Sequence, residues 1–504
     1  MSRLRLPRRQ ALLGSAALLL MAGCSVRPEP LRPEEIRSRA TDDRLRLQQA
    51  QEPPTRPISI EEAQARALRY NLDARLAAHE QAVQNRQLEL APFDMLPQVT
   101  ASAGYVTRDR ENVTSSFSRS TGQTSSDTFI GVERNRALAD LGFSWNVLDF
   151  GASYYAAHQQ ADRALIAAER RRKMVHALFQ EVESAYWQAM AAQRITSRLE
   201  TTMEQTRRAL EAVRRLERNR GLAPVESLRM QRDLLEILRQ LEGIANELSA
   251  TRARLAALMG LPPGTRYTLL ADEETRLEVR IPALDLLEGT ALELRPELRE
   301  EAYATRITAL EARRAILRLL PGINLNASVN YDSNTYLLYN DWVEGGIRIA
   351  ANLVRLASLP QTQRMNAAQA ELAETRRLAV SMAVLAQVHI AAQQYARALA
   401  QYDRAVEITQ VEQRLARLAA QRRAEEAGSE LERVREMAIA LLAELRRHRS
   451  YADLRVANAA VRASVGFDPL PEQVVADDVP ALAVAIREHA SWWLPRQAAA
   501  HAAR

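Results

Sequence analysis

The chain has a single cysteine, Cys24, among 504 residues, which excludes an intramolecular disulfide and any metal site built on clustered thiolates. It has no Gly-rich phosphate loop, no nucleophile elbow and no paired-histidine zinc motif. Its seven histidines (His79, His158, His176, His389, His448, His489 and His501) are scattered without metal-ligand spacing. With no convergent catalytic groups, neither enzymatic activity nor a cofactor is expected. Beyond the first residues there is no apolar run long enough for a transmembrane helix. Any part of the body that enters a bilayer must therefore be a closed β-barrel, because lipid leaves open sheet edges unsatisfied. A charge excess is missing too. Arg3, Arg5, Arg8 and Arg9 precede Cys24, where no acid occurs, and without those four the 68 basic side chains become 64 against 62 acidic ones. Nucleic acid is not an expected partner.

The arginine-bearing start is followed by Ala11 to Gly23, apolar but too short to span a bilayer, and residues 1–23 read as a bacterial export signal. Met21-Ala22-Gly23-Cys24 resembles the lipobox of bacterial lipoproteins, with Met where Leu is usual. That resemblance implies lipidation, palmitate included, at Cys24; plain signal-peptidase cleavage is the alternative. Ser25 stands where inner-membrane retention favours Asp, which points to the outer membrane. Residues 24–57, with Pro28, Pro30, Pro33, Pro53 and Pro54, read as a lipid-anchored tether.

From Ile58 onward one order of landmarks occurs twice. Asn71 precedes Pro97 by 26 residues, and Arg295 precedes Pro321 by 26. Asn146-Val147-Leu148 answers Asn352-Leu353-Val354. Gly221 lies 39 residues before Gly260, and Gly428 lies 38 before Gly466. The expected organisation is a first repeat at 58–264, with a helix from the Ser59/Glu62 capping box to about Leu90, a β-hairpin at 97–150 and a helical hairpin at 152–259. An inter-repeat segment at 265–284 follows. The second repeat, 285–470, has a helix, a β-hairpin at 322–354 and a helical hairpin at 360–466, and 471–504 is a C-terminal periplasmic tail. Trp492 and Trp493 in that tail suit packing on the helices or contact with a membrane surface.

The strands alternate strictly. Val99, Ala101, Ala103 and Tyr105 are apolar between Thr100, Ser102 and Gly104; Leu141, Phe143, Trp145 and Val147 alternate with Gly142, Ser144 and Asn146. The second hairpin behaves alike, with Ile323 to Tyr331 and Val343 to Leu353. Period-two patterning gives one apolar and one polar face, which fits a half-buried soluble sheet or a barrel with lipid outside and water inside. Ten or eleven residues at about 3.3 Å, tilted near 40°, rise roughly 27 Å, the height of a bilayer core. Tyr105, Phe150, Tyr331, Tyr336 and Trp342 are placed as interfacial aromatics. Four strands enclose no aqueous path, so several copies must share one barrel. Residues 108–135, rich in Ser and Thr, are expected as a long polar loop outside the cell. From Ala152 to about Arg220 no Pro or Gly occurs, and such a helix is roughly 100 Å long, enough to cross a periplasm.

Together the Leu96-Pro97 and Leu320-Pro321 starts of the strands, Arg295-Pro296-Glu297-Leu298, Asn146 to Gly151, the Gly221-Leu222-Ala223-Pro224 turn and Leu258-Met259-Gly260 resemble the TolC family, in the lipoprotein branch of outer-membrane efflux ducts. The resemblance covers Ile58 to about Pro469. It implies a mixed α and transmembrane-β fold: a homotrimer in which each chain gives four strands to a 12-stranded barrel, continued by an α-helical periplasmic tunnel. It also implies a passive efflux duct that opens when a periplasmic adaptor and an inner-membrane transporter engage. The exit duct of a one-step (type I) protein secretion system is the alternative within the class, and a periplasmic coiled-coil scaffold lipoprotein the alternative outside it. The chain departs from the family pattern at Leu72, where Pro often follows Asn, and near both helical tips. Glu226 and Ser227 lie about where relatives place an acid. Val434 and Met437 occupy positions where some relatives carry gating aspartates, leaving Glu425, Glu426 and Glu430 as substitutes. These five, Glu226, Ser227, Glu425, Glu426 and Glu430, are the candidate periplasmic gate.

Overall fold

The computed structural model describes residues 29–49, 54–117, 119–219, 223–262, 264–270, 281–424, 430–470 and 478–491. The export signal, Cys24, the Gly221 and Gly428 turns, Glu425, Glu426 and the Trp492-Trp493 pair lie outside them. No helix among the described residues is long and apolar enough to cross a membrane. The chain falls into two units that meet at Glu52 and Pro53. In the first, part of the expected tether is a helix, α1 (Pro33–Gln49), with Glu34 and Glu35 in its first turn. Pro33 starts this helix because the first helical position has no intrahelical use for an N–H, and the two acids favour the positive end of the helix dipole.

The second unit begins with α2 (Ile60–Tyr70), opened by Ser59, whose hydroxyl accepts from the Glu62 amide at 3.2 Å. The single helix expected to reach Leu90 is broken. Asn71 (φ −63°, ψ 130°) turns the chain into α3 (Leu72–Leu90). Its side-chain oxygen accepts from the amides of Asp73 (2.9 Å) and Ala74 (3.2 Å), so it caps the new helix, and its amide group donates to the Leu258 carbonyl at 3.3 Å. A 3₁₀ turn leads into β1 (Gln98–Thr107). The presumed polar loop then forms a hairpin of its own, β2 (Asn112–Phe117) paired with β3 (Thr124–Val132). Thr and Ser runs are compatible with strands, because β-branched Thr packs well on a pleated surface.

Strand β4 (Asn135–Asn146) ends four residues earlier than the alternation suggested, and helix α4 (Val147–Arg218) begins where the strand was expected to continue to Phe150. The cause is Asn146. Its side chain accepts from the Leu148 and Asp149 amides, at 2.9 and 3.2 Å, and so starts the helix. At 72 residues α4 is about 108 Å long, and α5 (Pro224–Leu258) returns along it. Their seam is a heptad: Leu234, Leu241, Leu248 and Leu255 are all buried, packing on Ile195, Leu199, Ala209 and Leu210 of α4 and on neighbouring helices.

A second elbow joins α6 (Leu284–Leu294) to α7 (Pro296–Leu317) at Arg295, with φ −64° and ψ 128°. Strands β5 (Gly322–Asp332) and β6 (Asp341–Ala350) follow, then a one-turn helix α8 (Leu353–Leu356), α9 (Leu359–Ala424) and α10 (Glu430–Ser464). Part of the expected tail is helical as well. In α11 (Val479–Ser491), Leu482, Ala483 and Ile486 are buried against Ala65 of α2 and Phe179 of α4.

Each returning helix ends on a glycine of positive φ, Gly260 (71°) and Gly466 (76°). The residue after each donates back five positions, Leu261 to the Ala256 carbonyl and Phe467 to the Arg462 carbonyl. These are Schellman-type ends, which require the left-handed conformation glycine adopts without strain. Both glycines also press on an elbow. A Cβ on Gly260 would lie 2.8 Å from Tyr70 Cβ, and one on Gly466 2.8 Å from the Arg295 amide nitrogen. Between these ends lies the main core, where Trp187 packs edge-on to Tyr186 and Tyr451, with the Arg455 guanidinium 4.6 Å from the Trp187 ring centre.

Candidate functional site: a two-faced sheet and two helical tips

The four long strands form one antiparallel sheet in the order β1-β4-β5-β6. Their registers place like with like. On one face Ala101, Leu141, Val329 and Val343 make one row across the sheet, and Val99, Phe143, Ala327 and Gly345 the next. On the other face the rows read Thr100, Gly142, Ser328, Glu344 and Ser102, Asp140, Asn330, Trp342. The apolar side chains Val99, Leu141, Val329, Val343, Ile347 and Ile349 are exposed, a surface that a soluble protein covers. On the polar face Arg136 pairs with Asp332 at 2.5 Å, and the Ser102 hydroxyl donates to Asp140. Trp342, expected as an interfacial aromatic, belongs to this polar face, in register with Asn330. Phe150 is likewise not a strand residue; it lies in the first turns of α4 with its ring edge-on to Trp145.

At the far end of the helices, each hairpin tip is tied within itself. Ser227 is fully buried in the first turn of α5, and its hydroxyl accepts from Gln231 Nε2 at 3.1 Å. The same amide donates to Glu217 on α4 and so joins the two arms. Glu226 is exposed beside it, at the helix N-terminus that suits a carboxylate. In the second hairpin Glu430 is no free acid. Its carboxylate receives Arg433 (Nη2 at 2.5 Å, Nε at 3.2 Å) and Arg423 (Nε at 3.3 Å), from the two arms of the tip. Hydrogen bonding from Arg433, aided by its charge and by Arg423, holds the Glu430 carboxyl below its usual range, against an upward push from burial. Arg433 also reaches Gln205 of α4 at 3.4 Å, which links the second tip to the first hairpin.

The sequence of residues 63–261 matches the model of the family described as outer membrane efflux protein. No curated protein matches the chain. The fold of the chain is similar to that of the outer-membrane channel OprN (18% identity, TM-score 0.62, 81% of this chain and 89% of that one). It is similar also to the Campylobacter jejuni CmeC outer membrane channel (14%, TM-score 0.65, 85% and 89%) and to the outer membrane protein VceC of Vibrio cholerae (13%, TM-score 0.61, 81% and 96%). These likenesses extend the fold beyond the matched region to most of both chains.

In this chain Val434 is 1% exposed and packs on Ala209, Leu210 and Leu234. An aspartate there would bury a carboxylate among apolar side chains, which is costly. Sequence reasoning found Glu430 but missed Arg433, Arg423, Gln231 and Glu217. The i, i+3 spacing of Glu430 and Arg433 was a visible signal; the contacts across the tips were not, because they depend on how the arms meet.

Proposed function

We propose that the protein is the outer-membrane duct of a tripartite efflux system, a homotrimer whose chains each give β1, β4, β5 and β6 to a 12-stranded barrel. The observation that carries this reading is the four-stranded sheet with one apolar face, one polar face and unpaired edges at β1 and β6. Closing those edges on neighbouring copies satisfies their backbone groups in lipid and leaves a polar lumen. A second feature supports the trimer: Ile408, Val411, Leu415 and Leu418 form an exposed stripe on α9 with i, i+3, i+7, i+10 spacing, as a helix seeking a partner does. The chain is organised as two repeats, 58–264 and 285–470, joined by 265–284. The long helices are a periplasmic tunnel, and Cys24 carries the lipid anchor.

The helical tips are the gate. Exposed Val225 and Leu228 beside Glu226 offer a periplasmic adaptor an apolar and acidic surface, and an inner-membrane transporter supplies substrate and energy. Glu425 and Glu426 belong to the same end. The reading is tested with the purified protein carrying Cys24→Ser. A heat-modifiable trimer that needs detergent and gives discrete conductance steps in planar bilayers is expected. A non-conducting protein that stays soluble without detergent overturns the duct and leaves the scaffold reading. Conductance combined with export of small molecules, and not of a protein substrate, separates efflux from type I secretion.

A further inference from the structure

We propose that the polar face of the sheet holds a binding site for lipophilic organic cations, formed by Trp342, Glu344 and Asp140. The proposal rests on the duct reading, in which this face lines the lumen.

The starting observation is a side chain on the wrong face. Trp342 is the one aromatic residue on the polar side of β1, β4, β5 and β6, and it is 41% exposed. Its cross-strand neighbour is Asn330, the next residue along its own strand on that face is Glu344, and the pair of Glu344 is Ser328. No apolar side chain in that row covers the indole. Leaving a large ring in water forfeits the stabilisation that burial brings, so packing within the chain does not account for it.

Its charged surroundings do. Asp140 lies in the same row two strands away, about 10 Å off at about 4.8 Å per strand, and Glu344 is two residues along β6, about 7 Å off. The other carboxylate of this region, Asp332, is already paired with Arg136. Asp140 receives only the Ser102 hydroxyl, and no ion pair among the described residues engages Glu344. Arg348, the remaining cation of this face, lies four residues along β6 toward the helices, about 13 Å from Glu344. The indole therefore sits between two uncompensated carboxylates. An indole face attracts cations most strongly of the aromatic side chains, and the carboxylates stand far enough away to hold a cation with an apolar body. A small inorganic cation gains only from the carboxylates, and an anion is repelled by them. Three copies would repeat the set around one lumen.

The experiment measures block of single-channel conductance of the purified full-length protein by tetraphenylphosphonium, with tetraphenylborate as an anion of the same shape. Native protein should be blocked at least tenfold more readily by the cation. Trp342→Ala, Asp140→Asn and Glu344→Gln should each raise the half-blocking concentration about tenfold, and Trp342→Phe should fall between native and Trp342→Ala. Variants are compared only as heat-modifiable trimers of native mobility. Conducting channels with the same block in every variant, or equal block by both ions, overturn the site alone. A native protein that neither conducts nor needs detergent overturns the duct reading and the site with it.

Discussion

The elbows at Asn71 and Arg295 have the same backbone geometry and different chemistry. Both bend two helices within a degree or two of the same φ and ψ, and both carry a glycine-ended helix on their inner side. At Asn71 a neutral side chain caps α3 and reaches one carbonyl, that of Leu258. At Arg295 the following Pro296 has no N–H to cap, and the side chain is released for other work. Its guanidinium donates to the Ala463 carbonyl at 2.9 Å and to Gln387 at 2.5 Å, and it pairs with Glu297 at 3.0 Å. Burial pushes that guanidinium below its usual pKa, with Glu297 pulling the other way. One bend is thus held by a cap and the other by a buried charge network, which shows that the backbone shape is the shared requirement and the side chain a local solution to it.

The largest effect that sharpens this contrast is expected from Arg295→Ala. It leaves Glu297 with only the longer Lys173 contact at 3.6 Å and strands the Ala463 carbonyl and Gln387, and should cost about 3 kcal/mol, read as loss of heat or denaturant resistance of the detergent-solubilised protein. Gly466→Ala comes next, at about 3 kcal/mol, because the added Cβ meets backbone atoms of Leu294 and Arg295 at a positive φ. Gly260→Ala should cost nearly as much, since Tyr70 Cβ and its carbonyl oxygen stand at 2.8 and 2.9 Å. Asn71→Ala removes a cap and one longer hydrogen bond and should cost about 1–2 kcal/mol. Equal losses for Arg295→Ala and Asn71→Ala would break the comparison.

A smaller effect separates the elbows by pH. The second one is tied further by Arg172, which donates to the Gly466 carbonyl at 2.9 Å and to Asp468 at 2.5 Å, while His176 Nε2 lies 2.8 Å from the same carboxylate. Burial pushes the Asp468 carboxyl up, but the hydrogen bonds and charges of His176 and Arg172 outweigh it and leave the pKa below its usual value. A carboxyl lowered in the folded state stabilises above its unfolded pKa and loses that contribution as pH falls through the folded value. Hydrogen-exchange protection near residues 460–467, taken relative to the intrinsic rate at each pH, should therefore fall in acid beyond any change near 256–261, and Asp468→Asn should abolish the difference. Protection that falls equally at both glycine ends removes Asp468 from the account.

Much of the sheet was legible because period-two alternation reports which face a side chain takes, whatever its neighbours are. The ends were less so. Asn146-Val147-Leu148 prolongs the alternation, yet the Asn146 side chain captures two amides and starts a helix. The break at Asn71 was hidden because Leu72, unlike Pro296, does not interrupt a helical pattern. Pro33 was read as part of a tether when, at the first helical turn, it costs nothing. The tips were legible only as a list of acids, since an acid and its arginines on the opposite arm are joined by folding and not by spacing.

The sequence by itself determined the alternating strands, the uninterrupted long helices and the glycine-marked ends, all of which follow from local sterics and short-period patterning. Only the tertiary structure decided that Val434 is core, that Glu430 is neutralised by Arg423 and Arg433, and that Trp342 shares a face with Asp140. Those outcomes depend on cross-strand register and on which helix faces meet, which are set by contacts between residues far apart in the chain.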